Sequence, residues 1–489
     1  MRILNKEQLT NHGNTEGRKI VAELLDAGLD SINPYFRVKE FLSIEGDFLH
    51  IHNAGFEMKG DPHSGGITLS LKDYDNIYVI GAAKGVQQAG KAFEEVLGDR
   101  LTGGHLIAKH GEKIICEKID VTLAGHPVPD EDCVNGCKAI EKIIETLSAK
   151  DLVFTVTGSG VGSLMTYPAG DISIQDVSDF TYLMQIEKGV QTSDLNPIRT
   201  HIDRFKGGRI SRALYKTGAT VIHVTTADPS KKDTPVERFS YFEFLSKNTF
   251  LPTLATGSTY QDCIDIIQKH DAWEKTPNSI KKHLLAGTRE TENVTIEEFE
   301  SFNQRFFGLI YKDATIYPSV KEKAKELGYT CLCLSEYTCA EAKDAGSVDS
   351  SIALNVERMD EPFTAPIVLM SSGENVVTVG KEKGIGGRNQ EYCIQGALKI
   401  AGSKKIVIGA VDTDGTDGPG GINVEGVPKC LAGAIVDGYT ALEAKEKNID
   451  LSFALKTHNT SFPLWDLGCG VHAQENVSAL DLRIILIME

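Results

Sequence analysis

Short apolar runs alternate with amphipathic segments along most of this 489-residue chain. The runs have the length of β-strands, and the amphipathic segments repeat apolar positions every three to four residues, as one face of a helix does. Strands are predicted at Asn76–Ile80, Leu106–Ala108, Ile119–Leu123, Asp151–Thr157, Val221–Thr226, Tyr329–Leu334, Ile367–Ser371, Asn375–Val379 and Lys405–Ala410. Helices are predicted at Thr15–Ala27, Asp132–Leu147, Gln261–Lys269, Ile280–Ala286, Val320–Leu327 and from about Asn389 onwards. This alternation predicts a doubly wound α/β fold.

Length and a change in composition predict more than one domain. A chain of this size corresponds to about two to four domains, and residues 260–304 are polar and mainly helical in pattern. We predict a first α/β domain over residues 1–275 and a second over residues 276–489.

Three predicted strands of the first half end in polar or glycine-rich loops. The first runs into GAAKG, which contains Lys84; another ends in GSGVGS, residues 158–163; the last is followed by a loop with Asp228. In doubly wound sheets, ligands bind beyond the carboxyl ends of the strands. Lys84, Gly158–Gly162 and Asp228 are therefore expected on one edge of the sheet.

The segment GSGVGS has two interpretations. It resembles part of the dinucleotide fingerprint G-x-G-x-x-G, but Ser163 stands where the closing glycine belongs. Gly158, Ser159, Gly160 and Gly162 form either a tight turn or a backbone cradle for an anion, and their number favours the cradle. Lys84, equally, is either a surface lysine or a phosphate ligand at a strand-to-helix turn.

A second glycine-rich loop precedes a predicted helix in the C-terminal half. It contains Gly384, Gly386 and Gly387, and Arg388 follows directly. Backbone N–H groups without helical partners favour an anion at a helix start. A guanidinium added there predicts a site for phosphate or carboxylate.

An acidic loop follows the last predicted strand. Asp412, Asp414 and Asp417 alternate with Thr and Gly in VDTDGTDGPGG, without the closing Glu or flanking helices of an EF-hand. Such a loop suits Mg²⁺, which takes one or two carboxylates and phosphate oxygens. An Asx-rich turn is the alternative.

Positive charge is concentrated in one segment, Leu195–Arg209. It carries Arg199, His201, Arg204, Lys206 and Arg209 in a chain with a formal charge of −17. The cluster is interpreted as an anion site or a helix that faces an acidic surface, with a solvated amphipathic helix as the alternative.

Overall charge and hydropathy exclude several classes of protein. An excess of acidic residues disfavours nucleic acid and anionic membranes as partners. No apolar run approaches the roughly 20 residues of a membrane span, and the N-terminus lacks a signal-peptide pattern, so we expect a cytoplasmic protein. Glycine cradles, single cations and an acidic loop together are typical of phosphoryl transfer, which depends on positioning and charge neutralisation.

Five separated motifs resemble the class II glycerate kinases, the glycerate 2-kinase family with a C-terminal MOFRL domain. The motifs are GHPVPDE (125–131), LNPIRTHIDRFKGGR (195–209), GIGGRNQE (384–391), DTDGTDGP (412–419) and AGAIVDG (432–438). The resemblance implies a Rossmann-like N-terminal domain, a C-terminal domain with a MOFRL segment at about 360–489, and an active site in the cleft between them. It implies transfer of the γ-phosphoryl group of ATP, with Mg²⁺, to the 2-hydroxyl of D-glycerate.

The resemblance also implies roles for individual residues. Lys84 would neutralise phosphate oxygens, and Arg388 would grip a carboxylate or phosphate with two nitrogens. Glu374 or Asp228 would accept the hydroxyl proton or hold the metal. Further residues are assigned to the cofactor or the metal: Gly158, Ser159, Gly160, Gly162, Ser163, Gly257 and Asn389 to ATP, and Asp414 and Asp417 to Mg²⁺.

Several loops depart from the family pattern. They are TTADPSKKD with Asp228, ATGST with Gly257, GSGVGS, and GVHAQEN at residues 470–476. Three alternatives therefore stay open: an NAD(P)-dependent hydroxypyruvate reductase, a member that uses another sugar acid, and a protein that only binds its ligand. The expected partners are a small hydroxy acid and ATP, and a homodimer is left open.

Overall fold

A computed structural model describes residues 2–52, 59–60, 65–227, 240–287, 293–310, 316–379, 382 and 384–489. The chain divides into two compact units. The central unit is Pro34–Tyr311, and the terminal unit combines Met1–Asn33 with Lys312–Glu489. None of the helices in the described ranges has both the length and the apolar character that crossing a membrane requires.

The strands of the described residues form three sheets. Strands β1 to β3 make a small antiparallel sheet, β4 to β9 the main sheet of the central unit, and β10 to β15 the sheet of the terminal unit. In chain order they are β1 Leu42–Glu45, β2 Phe48–Ile51, β3 Ile67–Ser70, β4 Asn76–Ala82, β5 Gly103–Lys109, β6 Asp120–Ala124, β7 Asp151–Thr157, β8 Thr220–Thr225, β9 Arg305–Gly308, β10 Thr330–Thr338, β11 Ile367–Gly373, β12 Ile406–Asp412, β13 Gly433–Asp437, β14 Gly470–Val471 and β15 Asp481–Ile487.

Helices connect and cover these strands, so the predicted α/β class with two domains is confirmed. They are α1 Lys6–Thr10, α2 Thr15–Ser31, α3 Pro34–Phe41, α4 Val86–Leu97, α5 Glu131–Thr146, α6 Val161–Leu164, α7 Ile174–Thr181, α8 Thr192–His201, α9 Arg209–Thr217, α10 Tyr241–Lys247, α11 Tyr260–Lys269, α12 Asn278–Ala286, α13 Ile296–Ser301, α14 Ile316–Glu326, α15 Ala342–Met359, α16 Arg388–Lys399, α17 Thr440–Glu446, α18 Leu451–Lys456 and α19 Ser461–Asp466.

The main sheet of the central unit is parallel and has the strand order β6-β5-β4-β7-β8-β9. Chain order runs outward in one direction from β4 and in the other from β7, so these two strands form a topological switch point. They pair in register up to Ala82↔Thr157. Gly81 permits this close pairing, because a Cβ there would lie against the backbone carbonyl of Val156. Ligands of such sheets bind beyond the strand ends at the switch point.

The sheet of the terminal unit is mixed, in the order β10-β11-β15-β12-β13-β14. Strand β15 is antiparallel to both neighbours and pairs Asp481 with Gly373 of β11 and Asp412 of β12. The carboxyl ends of β11 and β12 therefore share one edge of the sheet with the start of β15. All three strands are buried along their length, which fits their aliphatic sequences.

Helix α2 belongs to the terminal unit although it lies near the start of the chain. It packs on β12 and β15, and its Arg18 is fully buried, with Nε 2.5 Å from Oδ2 of Asp437. The observed division therefore differs from the predicted boundary after residue 275. The reason is that a pairing across 419 residues leaves no local signal. The cleft implied between the domains stays a prediction.

Individual elements match the predicted ones unevenly. Strand β7 has the predicted bounds, whereas the strand predicted at Asn375–Val379 is wrong. Only an isolated bridge between Val376 and Glu341 forms there, because both sides of β11 are already paired with β10 and β15. Strand β9 lies just beyond a polar stretch that was interpreted as mainly helical.

Candidate functional site

The loops after β4 and β7 come together at the switch point. The backbone N–H of Lys84 donates to the carbonyl of Ser159 at 2.8 Å. Gly160 has a left-handed backbone, with φ +82°, and leads into α6. A Cβ on Gly160 would lie 3.0 Å from Cγ of Lys84 and 3.2 Å from Cδ2 of His126. The structure thus brings three of the predicted residues together and adds His126.

Gly158 and Ser163 hold the ends of this loop in place. A Cβ on Gly158 would lie against the hydroxyl of Thr226. Ser163 is buried, and its hydroxyl donates to the carbonyls of Gly125 and Pro127 at 3.2 and 2.9 Å. These hydrogen bonds fix the turn before α5, and the cofactor role of Ser163 stays a prediction.

Gly162 faces helix α8 from the first turn of α6. A Cβ there would lie 3.6 Å from Nη1 of Arg199 and 4.0 Å from Oδ1 of Asn196. Burial lowers the pKa of Arg199 to about 10, so its guanidinium stays charged at neutral pH. A cation therefore stands beside the loop that also contacts Lys84.

Gly257 lies in another part of the central unit. It lines a cavity of about 360 Å³ together with His201, Tyr260 and Asn293. No atom lies within 4 Å of the place where its Cβ would be. Its cofactor role stays a prediction.

Alanine substitutions at Gly160 and Gly257 are expected to differ in stability. Gly160→Ala should lower the free energy of unfolding by about 1–2 kcal/mol, because a side chain is strained in the left-handed region and would press on Lys84 and His126. Gly257→Ala is the matched control and should change stability by less than about 0.5 kcal/mol. Urea unfolding of both variants measures the difference, and equal losses would contradict it.

In the terminal unit, carboxylates surround Arg388. Its Nε lies 2.8 Å from Oδ1 of Asp481, Nη2 2.8 Å from Oδ2 of Asp412, and Nη1 3.6 Å from Oε1 of Glu374. Burial alone would lower the pKa of Arg388, but Asp481, Asp412, Asp417 and Glu374 outweigh burial and raise it. Nε and Nη2 thus both have partners within the terminal unit. The two-nitrogen grip of Arg388 on a ligand stays a prediction.

The start of α16 already holds an anion of the chain itself. The backbone N–H groups of Asn389 and Gln390 donate to the two carboxylate oxygens of Asp417 at 3.2 and 3.0 Å. The side-chain amide of Asn389 donates to Asp481 at 2.9 Å. Asp417 therefore occupies two N–H groups of this helix start, and the ligand roles of Arg388 and Asn389 stay predictions.

The glycines before α16 allow close packing around Asp417. A Cβ on Gly386 would lie against the hydroxyl of Thr460, and one on Gly387 against the carboxylate of Asp417. Gly418 likewise lies against the carbonyl of Gly386. The second glycine-rich loop therefore seats an internal carboxylate.

The residues predicted to hold a metal are used differently. Asp414 accepts hydrogen bonds from the backbone N–H and the hydroxyl of Thr416, both at 2.8 Å, which is an Asx-type turn. In the described ranges, three potential ligand atoms lie close together at His110, Asp130 and Asp132 alone. Metal roles for Asp414 and Asp417 stay predictions.

Of the two acids predicted to accept the hydroxyl proton, the structure describes Glu374. Glu374 directly follows β11, and its side chain is 46% exposed, so a ligand could reach it. Asp228 lies outside the described residues.

Comparison with known proteins places these features in context. Residues 20–236 match a model described as a domain of unknown function, DUF4147, and residues 367–474 match the MOFRL family. The glycerate 2-kinase of Pyrococcus horikoshii is 29% identical over 92% of this chain and 92% of its own length. A putative hydroxypyruvate reductase of Agrobacterium vitis is 28% identical over 84% of this chain and 86% of its own length. The crystal structure of a glycerate kinase from Thermotoga maritima gives a TM-score of 0.71 at 24% identity, covering 96% of this chain and 99% of that one.

Proposed function

This chain belongs to the glycerate 2-kinase family with DUF4147 and MOFRL segments, and we propose that it is a phosphotransferase. It transfers the γ-phosphoryl group of ATP to the 2-hydroxyl of D-glycerate or a closely related small hydroxy acid. Its partners are these two small molecules. The cytoplasmic location and the homodimer stay predictions.

The switch point of the central sheet is the observation that supports this proposal. Lys84, the backbone of Ser159 and Gly160, and the side chain of Arg199 gather there. Backbone N–H groups and single cations are what phosphate groups bind. Because phosphoryl transfer needs charge neutralisation more than covalent chemistry, such a site suits the reaction.

The acidic edge of the terminal sheet suits the other parts of the reaction. Glu374 is exposed enough to accept the hydroxyl proton, a role that Asp228 shares as a candidate. Mg²⁺ prefers carboxylate oxygens, and Glu374 and Asp414 offer them. Asp417 fits poorly, because both of its oxygens accept hydrogen bonds from α16. Bound Mg²⁺ would neutralise phosphate charge.

A hydroxypyruvate reductase is the second candidate, since a relative of similar identity carries that name as putative. Dinucleotide binding uses a closing glycine and the N-terminus of the following helix. Here Ser163 takes the place of that glycine, and α6 has only four residues. The kinase is therefore favoured.

The two candidates are separated by assaying both reactions on one preparation. Protein is incubated with Mg-ATP and a panel of small hydroxy acids, and ADP is quantified by chromatography. A parallel series follows the absorbance of NADH and NADPH with the corresponding keto acids. ADP formation with D-glycerate or a close analogue is expected. Nucleotide oxidation without ADP from any acid would reject the kinase.

A further inference from the structure

All five cationic side chains in Leu195–Arg209 have partners within the central unit. The partners are Glu141 for Arg204, Asp203 for Lys206, Asn293 and the carbonyls of Thr200 and Asp203 for Arg209, and the carbonyl of Ser258 for His201. The fifth, Arg199, donates from Nη2 to Oε1 of Gln185 at 3.0 Å. Among the residues that the structure describes, no carboxylate lies within ion-pair distance of it.

The surroundings of Arg199 favour an incoming anion. The half-buried guanidinium has lost part of its hydration, and no carboxylate of the described ranges compensates for that loss. Its lowered pKa, caused by burial, reflects this. A planar guanidinium binds a carboxylate through two parallel hydrogen bonds, which a lysine cannot do.

Arg199 is also placed at the functional edge of the central sheet. Its Nη1 and the side chain of Asn196, one turn earlier on α8, both face Gly162. Two residues before Gly162, Gly160 contacts Lys84. The loop thus has Lys84 at one end and the Arg199–Asn196 pair at the other.

We propose that Arg199 and Asn196 form the subsite for the carboxylate of the hydroxy-acid substrate. Lys84 and the backbone of the loop are then left to the phosphate groups, for which a point charge and N–H groups suffice. This inference rests on the proposed function, because it assigns one group of that reaction's substrate.

The test is a kinetic comparison of Arg199→Met and Arg199→Lys, with Arg204→Met as the matched control in the same segment. Arg199→Met should raise KM for D-glycerate by at least about 30-fold, the scale of losing a hydrogen bond between charged groups, and leave KM for ATP within about twofold. Arg199→Lys should recover part of the loss. Arg204→Met should behave as wild type, because Arg204 pairs with Glu141 at the surface.

Glyceramide, which has a neutral amide in place of the carboxylate, gives a readout that a structural role would not move. The wild type should prefer the acid to the amide strongly, and Arg199→Met should lose that preference. Circular dichroism verifies folding, and Arg199→Lys and Asn196→Ala carry the test if Arg199→Met does not fold.

Calorimetric titration of D-glycerate without ATP separates the two ways of failing. A wild type that neither binds nor phosphorylates any hydroxy acid overturns the proposed function and this inference together. A wild type that does both, while Arg199→Met keeps its KM for the acid, overturns the inference alone. A rise in KM for ATP only also overturns it and assigns Arg199 to the phosphates.

Discussion

Replacing Lys84 with alanine is expected to lower kcat/KM for phosphoryl transfer by at least about a hundredfold, the scale of losing one charge-stabilising contact in a transition state. Lys84 stands at the switch point, with its backbone bound to Ser159 and its side chain beside Gly160. Its ammonium group would neutralise charge on the transferred phosphoryl group. Because charge is redistributed over the phosphate oxygens in the transition state, a cation placed there contributes mainly to that state, and kcat should fall more than KM for the acid rises. Steady-state kinetics at saturating ATP measure both.

Lys138→Ala provides the control for Lys84→Ala. Lys138 is an exposed lysine on α5 of the same unit, so its loss should leave kcat/KM within about twofold. Thermal unfolding of both variants checks that any difference concerns catalysis and not folding. Wild-type kinetics for Lys84→Ala would return Lys84 to the role of a surface lysine.

Arg388→Ala is expected to lower the free energy of unfolding by about 2–4 kcal/mol at pH 7.5, because removing one partner of a buried ion pair leaves the others uncompensated. Asp481 is fully buried and Asp412 nearly so. Both would lose the guanidinium with which they form an ion pair. Urea unfolding of the variant and the wild type measures the difference, with Arg358→Ala, an exposed arginine on α15, as the control.

The deficit of Arg388→Ala should shrink as pH falls from 8 to 5. Burial raises the pKa of Asp417 to about 6, and Arg388 opposes this rise. A carboxyl whose pKa is raised by folding adds stability at low pH and loses it as pH rises through the folded-state pKa. Without Arg388 the pKa of Asp417 rises further. As pH rises from 5 to 8, the variant therefore loses more stability than the wild type does, and the difference between them is smallest at pH 5. A deficit that grows toward pH 5 would contradict the assigned charges.

The local sequence pattern predicts the position of a site residue well where the site is built from consecutive residues. A buried strand followed by small residues predicts a loop at a sheet edge, so Lys84 and Gly158–Gly160 were placed correctly on the same edge. The internal carboxylate at the start of α16 could not be predicted, for the opposite reason. The carboxylate that binds there is Asp417, about 30 residues further along the chain. The sequence near Arg388 gives no indication of this contact.

Residues that act through distant partners were missed or left undistinguished. Asp481 opens a strand with no polar motif around it, and it meets Arg388 only because β15 lies between β11 and β12. Arg199 could not be distinguished in the sequence from the other four cations, because Glu141, Ser258 and Asn293, which bind three of them, lie far along the chain. His126 became part of the site only through the fold of its turn against Gly160.

The terminal unit is discontinuous in sequence, so its two parts are synthesised at different times. Helix α2 leaves the ribosome early, but β12, β15 and Asp437, on which it packs, are made after the whole central unit. At the roughly 5–20 residues per second of protein synthesis, on the order of 20 to 90 s pass between the synthesis of α2 and that of these partners. The central unit is contiguous and complete in sequence by then. It can fold during synthesis, whereas the terminal unit has to assemble from segments on both sides of the central unit.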